Sequence, residues 1–293
     1  SNDTYGFQTI LNIVVANFLV SAVMLLVMAW IMFTTSWRLA LVSLVVTFFV
    51  ILFHSPVNGS MDSQGVLVAT SLGQFINLLT AGVGALLILL AWPANTQATG
   101  NAAFHVGTEV SEFYALMLSS LAGLMLVASA NDLIVLFLGI ELSAIPVYIM
   151  VAISRPLSVA QEAGVKYFFL GALGAALLLF GFSYLYGITG TTNMSMIANY
   201  FQSAAERLNP ATMVLNHWGL LAFLMLLVGL CFKMAAVPLH FYAADVYHGA
   251  ATPVSAFLAF VPKTTGVVAL IKLLQAFGAT TYAAPSTVVD MLW

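Results

Sequence analysis

The sequence has little charge, a single cysteine and no cluster of basic residues. Charged residues make up 6% of its 293 positions and hydrophobic residues 62%, whereas soluble domains carry about 25% charged residues. This shortage excludes a water-soluble fold, because so few charges cannot cover the surface of a chain of this size. Cys231, alone in the chain, excludes an internal disulfide and a cysteine-based metal cage. The net charge of −3 gives no support to a nucleic-acid partner.

The chain is instead rich in long apolar runs, and a bilayer core needs about 20 helical residues to be crossed. Backbone exposed to lipid must satisfy its own hydrogen bonds, and the runs lack the alternation of a barrel strand. We therefore predict an all-α integral membrane protein with about eight transmembrane helices. The predicted spans lie at roughly 7–33, 37–54, 66–92, 113–130, 132–153, 158–187, 217–242 and 250–277.

Charge is distributed unevenly along these spans. The first three have no ionisable residue at mid-membrane depth, and such residues become frequent only after Glu109. We predict a supporting unit of three spans over 1–108 and a working unit over 109–293. Arg38 and Arg155 lie in loops that would share one side, which the positive-inside rule makes cytoplasmic, with the N-terminus outside. Arg207 favours the opposite orientation.

Three ionisable residues fall well inside predicted spans: Glu141, Lys233 and Lys263. Glu141 is the ninth residue of the run 133–153, about 12 Å into the core at 1.5 Å per residue. A charge at such depth costs roughly 2.5–3.5 kcal/mol on insertion scales. Residues kept at that cost by default indicate an ion pathway. The alternative interpretation is a structural ion pair between helices.

A proline accompanies each of these charges on its own span: Pro146, Pro238 and Pro262. Proline removes one helical hydrogen bond and frees the carbonyl four residues earlier. We therefore expect helix breaks at these three positions. The stretch after Pro238, residues 239–249, is too polar for a lipid-facing helix. The seventh span is accordingly predicted to be discontinuous and to line a cavity.

Further polar residues are candidates for a proton relay: Lys166, His240, His248 and Asp245. Lys166 could equally extend its amine to the headgroups, and the histidines could be hydrogen-bonded residues of the helix break. Histidine titrates near neutral pH, which suits a relay. No ligand cluster accompanies them, so no metal site is expected. Lys272, close to the end of the last span, is expected to extend toward the headgroups.

Several stretches, taken in order, resemble the antiporter-like subunits of respiratory complex I. They are 131–142, 165–172, 186–191, 232–240, 245–250 and 253–263. Within that family, the sequence motif Asp245-Val246-Tyr247 followed by Gly249-Ala250 is more similar to the subunit N group than to the L and M groups or the Mrp-type antiporters. The resemblance covers about 109–277. It implies one five-helix repeat formed by spans four to eight, with the family's second, inverted repeat absent from this chain.

The resemblance also implies a function and a division of roles. Glu141 and Lys233 are expected to form an ion pair, with Lys263 as the central proton carrier. The chain would move protons as a subunit of a proton-translocating NADH:quinone oxidoreductase in a bacterial plasma membrane. It would carry no cofactor, so NADH, FMN, iron–sulfur clusters and quinone would be bound by partner subunits. Other membrane subunits of complex I and the lipid bilayer are the expected partners.

The energy of such an ion pair is similar to the work of moving a proton against the membrane potential. A carboxylate about 6 Å from a lysine, at an effective dielectric near 20, is worth roughly 2–3 kcal/mol. Moving one charge against 100 mV costs roughly 2.3 kcal/mol. Two other functions stay open. An Mrp-type cation/proton antiporter component or membrane hydrogenase subunit would use the same residues, and a structural scaffold would tolerate their neutralisation without loss of transport.

Overall fold

The computed structural model describes residues 65–91 except 69, residues 110–155, 158–207 and 217–277, and Val45 by itself. The predicted spans 7–33 and 37–54 otherwise lie outside these residues. Within the described ranges the chain is helical, and its only β contacts are two isolated bridges. The helices are α1 Ser71–Leu90, α2 Val110–Ser129, α3 Leu133–Ile153, α4 Ser158–Thr189, α5 Met194–Arg207, α6 His217–Met234, α7 Ala243–Gly249 and α8 Thr252–Ala276.

Six of these helices are long and apolar enough to cross a membrane: α1, α2, α3, α4, α6 and α8. They correspond to the last six predicted spans, and the all-α membrane fold is confirmed. The prediction was wrong on one detail of the chain after α4, since α5 was taken for a loop. Within the span 217–242 the helix α6 ends at Met234, and α7 begins just beyond the span at Ala243.

The amphipathic helix α5 was missed because it has no long apolar run. Its start is held by the neighbouring connection, where the Met194 amide donates to the Asn131 carbonyl at 2.9 Å. An isolated bridge joins Asp132 to Asn193. These contacts gather the end of α2, the start of α3 and the end of α4 at one membrane face, here named the Asp132 face.

Asp132 shows why α3 begins where it does. Its carboxylate accepts hydrogen bonds from the amides of Ile134, at 2.8 Å, and Val135, at 3.4 Å. An aspartate in this N-cap position satisfies amides that have no partner within the helix. The Thr192 hydroxyl donates to the other carboxylate oxygen at 2.5 Å, which ties the end of α4 to the start of α3.

The expected helix breaks at Pro146 and Pro262 are wrong, since α3 and α8 continue through these residues. Membrane helices tolerate proline where neighbouring groups satisfy the freed backbone. Three residues before Pro146, and one after the Leu142 carbonyl that the proline frees, the Ser120 hydroxyl of α2 donates to the Ser143 carbonyl at 2.7 Å. Both prolines are buried among other helices, so tertiary packing holds each helix together around its missing hydrogen bond.

Candidate functional site

The candidate site is built around the end of α6, immediately after Lys233. The Ala236 amide donates to the Cys231 carbonyl at 2.8 Å, and the Ala235 amide to the Phe232 carbonyl at 3.0 Å. Ala235 has a φ of 55°. Together these features form a Schellman motif, which ends a helix through one left-handed residue. Lys233 thus occupies the last turn of α6, where the negative end of the helix dipole favours a cation.

The chain then runs without regular helix to α7, so the predicted discontinuity of the seventh span is confirmed. The helix ends before Pro238 rather than at it, and the Val237–Pro238 peptide is cis. Tyr242, the residue before α7, is buried, and its hydroxyl donates to the Phe232 carbonyl at 2.7 Å. This bond connects the far side of the break to the end of α6.

Lys233 forms a buried ion pair with α3. Its Nζ lies 2.8 Å from Oε1 of Glu141 and 3.2 Å from the hydroxyl of Tyr148. The Lys233 side chain is 6% exposed and that of Glu141 17%. Glu141 and Tyr148 are seven residues apart, about two turns, and so share one side of α3. In such surroundings each charge depends on the other for stabilisation.

A glycine of α4 makes room for this arrangement. A Cβ added to Gly171 would collide with the hydroxyl of Tyr148. The absence of a side chain there lets the tyrosine extend its hydroxyl between α3, α4 and Lys233. The Tyr148 ring packs edge-on against Tyr167, with centroids 4.5 Å apart, and Tyr167 stacks on Tyr242 at 5.2 Å. These aromatic rings form a wall beside the ion pair.

Lys263 occupies the neighbouring part of the site. It lies on α8 directly after Pro262, and its Nζ is 5.5 Å from the ring centroid of Tyr247 on α7. A cavity of about 10 Å³ is bordered by both Lys233 and Lys263. That is close to the smallest volume that holds one water molecule. The other lining residues are Tyr167, Ala235, Tyr242, Ala243, Val246, Tyr247, Leu258 and Pro262.

The suggested relay residues lie outside this cavity. Lys166 bonds Glu162 one turn away at 2.8 Å and Asp245 of α7 at 2.9 Å. All three side chains are largely exposed, at 45%, 64% and 56%. Lys166 therefore joins α4 to α7 in an exposed ion pair, an interpretation that the sequence did not suggest. His240 and His248 are also exposed and line no part of the cavity.

Sequence reasoning missed the tyrosines and misjudged one lysine. Tyr148, Tyr242 and Tyr247 received no role, although the seven-residue spacing from Glu141 to Tyr148 was a readable signal of a shared helix side. The prediction that Lys272 extends to the headgroups is wrong. Its side chain is buried and donates to the Ala130 carbonyl at 2.7 Å, because the end of α2 supplies an acceptor inside the bundle.

The arrangement suits proton transfer between side chains. A buried carboxylate, two amines and a tyrosine hydroxyl border or adjoin a space of about one water, so protons could pass over short hydrogen-bonded steps. Within the described residues, no group of three His, Cys, Asp or Glu side chains is placed to hold a metal ion.

These features define a polytopic membrane protein with a buried lysine–glutamate pair beside a broken helix. The family described as "NADH:quinone oxidoreductase/Mrp antiporter, TM" matches the chain over residues 130–289. The chain belongs to this family. The match includes every helix that contributes to the site, from α3 to α8.

Among curated relatives, NADH-quinone oxidoreductase subunit N of Anoxybacillus flavithermus is 44% identical over 177 residues, which cover 60% of this chain and 34% of the relative. The subunit of the same name from Bacillus anthracis is 39% identical over 235 residues, covering 80% and 44%. The chain thus spans less than half the length of these relatives.

Solved structures share the fold. A chain of respiratory complex I from Thermus thermophilus matches with a TM-score of 0.68 and 26% identity, covering 87% of this chain and 52% of that one. An archaeal membrane-bound sulfane sulfur reductase matches with a TM-score of 0.73 and 21% identity, covering 94% and 56%. The Mrp complex of a Dietzia strain matches with a TM-score of 0.68 and 22% identity, covering 87% and 28%. The last two likenesses concern the fold alone.

Proposed function

We propose that this chain is a proton-translocating part of subunit N in a bacterial NADH:quinone oxidoreductase of the plasma membrane. The family and the relatives named subunit N support this assignment. The observation that carries it is the buried Glu141–Lys233 pair, set at a helix break and bordering a cavity shared with Lys263. Electron transfer, with NADH, FMN, iron–sulfur clusters and quinone, belongs to partner subunits in this proposal.

In the proposed cycle the ion pair controls the charge on Lys263. While Glu141 holds Lys233, its negative charge offsets that of the lysine. When Glu141 moves away, the uncompensated cation raises the local potential and drives a proton from Lys263. Opening such a pair by a few ångströms changes the energy by roughly 2–3 kcal/mol. That is comparable to the work of moving one charge across roughly 100 mV.

The region 109–293 is proposed as the working unit and 1–108 as its support. Lys263 is proposed as the proton carrier because it borders the same cavity as Lys233. The candidate relay residues are proposed to act at the protein surface, outside the cavity, because their side chains are exposed: Lys166, Asp245, His240 and His248.

The test is substitution of Lys263 in the complete native complex. Lys263→Met removes the proton carrier and should abolish NADH-driven proton uptake by inverted membrane vesicles. Gln275→Ala is the matched control, because Gln275 is exposed on the same helix. Normal pumping by an assembled Lys263→Met complex would overturn the assignment of Lys263 as carrier.

The identity of the complex is tested separately by mild-detergent purification of the tagged chain and mass spectrometry of what accompanies it. Recovery with flavin- and iron–sulfur-bearing subunits and NADH:quinone reductase activity supports the proposal. Recovery with other antiporter-like chains only, together with sodium-dependent proton exchange that needs no electron donor, would replace it with an Mrp-type function.

A further inference from the structure

Helix α8 carries polar residues on two opposite sides. Lys263 and Lys272 are nine residues apart, which is about 900° of helical rotation, so they face opposite ways. Thr265 and Lys272 are seven residues apart and share a side. While Lys263 faces Tyr247, the Thr265 hydroxyl lies 3.0 Å from the hydroxyl of Ser143 on α3. The second side of α8 therefore faces α2 and α3.

Lys272 is the buried cation of this second side. It is 9% exposed, and its Nζ donates to the carbonyl of Ala130, just beyond the end of α2, at 2.7 Å. Among the described residues, the ion pairs are those of Lys166 and Lys233, and none involves Lys272. An ammonium group has three donors. Within the described part of the chain, the bond to Ala130 is the hydrogen bond that this ammonium makes, which leaves donors that water can satisfy.

A second unsatisfied group lies at the same place. The Asn77 amide nitrogen on α1 is 3.4 Å from the hydroxyl of Ser129, the residue next to Ala130. The Asn77 Oδ1 atom is buried and has no hydrogen-bond partner among the described residues. Asn77 and Lys272 thus bind consecutive residues at the end of α2. A buried amide oxygen and spare amine donors, anchored to consecutive residues, are groups that an ordered water can satisfy.

This cluster of Asn77, Ser129, Ala130 and Lys272 lies near the Asp132 face of the membrane. Lys272 is four residues from the end of α8, about 6 Å along the helix axis. Lys263 is a further nine residues in, about 13.5 Å away along the same axis. The Thr265–Ser143 hydroxyl pair lies between these depths, seven residues or about 10.5 Å from Lys272 along the helix axis.

We propose that Lys272 is a second proton-binding residue, which exchanges protons with the Asp132 face through water held by Asn77 and Ser129. The inference rests on the proposed proton translocation and adds a path on the side of α8 opposite Lys263. The neutral Lys272 amine accepts a proton that this water relays from the Asp132 face, which leaves the water neutral, and later releases the proton toward the Thr265–Ser143 hydroxyl pair. The Ala130 carbonyl, at the negative end of α2, stabilises the charged form in the interval.

The main test compares two substitutions of Lys272 in the native complex. Lys272→Gln keeps an N–H donor for the Ala130 carbonyl but cannot gain a proton. Lys272→Arg keeps the charge but does not release its proton. Both variants should assemble and should lower the ratio of protons pumped to NADH oxidised at least about twofold. Loss of a structural contact alone would instead lower the amount of assembled complex and leave this ratio unchanged. An unchanged ratio in both variants would show that Lys272 has only a structural role and would overturn the proposal.

Accessibility provides a test that does not depend on the Lys272 variants folding. In a Cys231→Ser background, Ser129→Cys is exposed to a charged, membrane-impermeant methanethiosulfonate reagent from each side in turn. Labelling from the Asp132 face alone is expected, since water reaches the cluster from there. Protection from both sides would overturn the proposed path.

Failure of this inference is distinguishable from failure of the proposed function. Lys263→Met is measured in parallel with Lys272→Gln. If Lys263→Met stops pumping and Lys272→Gln leaves the ratio unchanged, only the second path is wrong. If pumping survives both substitutions, the proposed proton translocation through this chain is itself wrong.

Discussion

Two lysines of this protein bond carboxylates at nearly equal distances, yet their surroundings differ completely. Lys233 meets Glu141 at 2.8 Å with side chains 6% and 17% exposed. Lys166 meets Asp245 at 2.9 Å with side chains 45% and 56% exposed. Exposed pairs contribute little, because water or headgroups can replace either partner. Buried partners have no such replacement. Burial, and not bond length, therefore separates the pair proposed to act in proton transfer from the peripheral pair.

The largest effect should come from Glu141→Gln, which leaves Lys233 as an uncompensated buried cation. Removing one partner of a buried pair costs about 3–5 kcal/mol. We expect poor assembly and loss of NADH-driven pumping in membrane vesicles. In the double variant Glu141→Gln/Lys233→Met, assembly should recover because no lone charge remains, while pumping stays absent. Normal pumping with Glu141→Gln would contradict the proposal that the buried pair, unlike the exposed pair, is needed for proton transfer.

A smaller effect is expected from Gly171→Ala, which acts on the ion pair indirectly. The added methyl group would displace the Tyr148 hydroxyl, and overpacking of this kind costs about 1–3 kcal/mol. Thermal stability of the complex and its pumping rate should both fall. Gly187→Ala on the same helix is the matched control, because a Cβ there meets nothing within 4 Å. Equal behaviour of the two variants would contradict the role given to Tyr148.

Tyr247 allows a finer comparison at the other lysine of the cavity. Its ring lies 5.5 Å from the Lys263 amine, and a cation–π contact is worth about 0.5–2 kcal/mol depending on desolvation. Tyr247→Leu removes this contact and should slow pumping several-fold, whereas Tyr247→Phe should stay close to the unsubstituted rate. A defect of equal size in Tyr247→Phe would assign the effect to the hydroxyl rather than to the ring.

The smallest effect is expected at the exposed pair. Asp245→Asn removes one partner of Lys166, which retains Glu162 at 2.8 Å. Pumping should change by less than about twofold, as is usual for exposed pairs. Lys166→Met should behave likewise in the same vesicle assay. A loss of pumping comparable to that of Glu141→Gln would show that exposure is a poor guide to function in this protein.

Much of the fold could be predicted from the sequence because lipid imposes strong constraints. Apolar runs of sufficient length must be helices, and the last six predicted spans correspond to helices of the structure. The amphipathic α5 escaped this reasoning, since its stability depends on contacts with neighbouring connections. The helix breaks at Pro146 and Pro262 were predicted from proline alone and are wrong, whereas the break near Pro238, predicted also from the polar stretch 239–249, is confirmed. A proline in the sequence indicates that one helical hydrogen bond is missing. It does not indicate whether packing against a neighbouring helix lets the helix continue.

The candidate site, too, could be predicted from the sequence only in part. Glu141, Lys233 and Lys263 could be singled out because a charge deep in a bilayer is costly wherever it is. Their grouping with Tyr148 around one cavity could not, since it depends on how α3, α4, α6 and α8 pack. The error at Lys272 has this origin too. Distance from the end of a span suggested the headgroups, but the acceptor at Ala130 is supplied by a different helix.

The sequence by itself determined that the protein lies in the membrane, which segments cross it, and which three residues carry charge at depth. These follow from the cost of exposing polar backbone or charge to hydrocarbon, a property of each segment alone. The tertiary structure decided which charges meet, where the seventh span ends, and that Lys272 is enclosed while Lys166 is exposed. Such contacts join residues far apart in the chain, and only the packing of helices against one another brings them together.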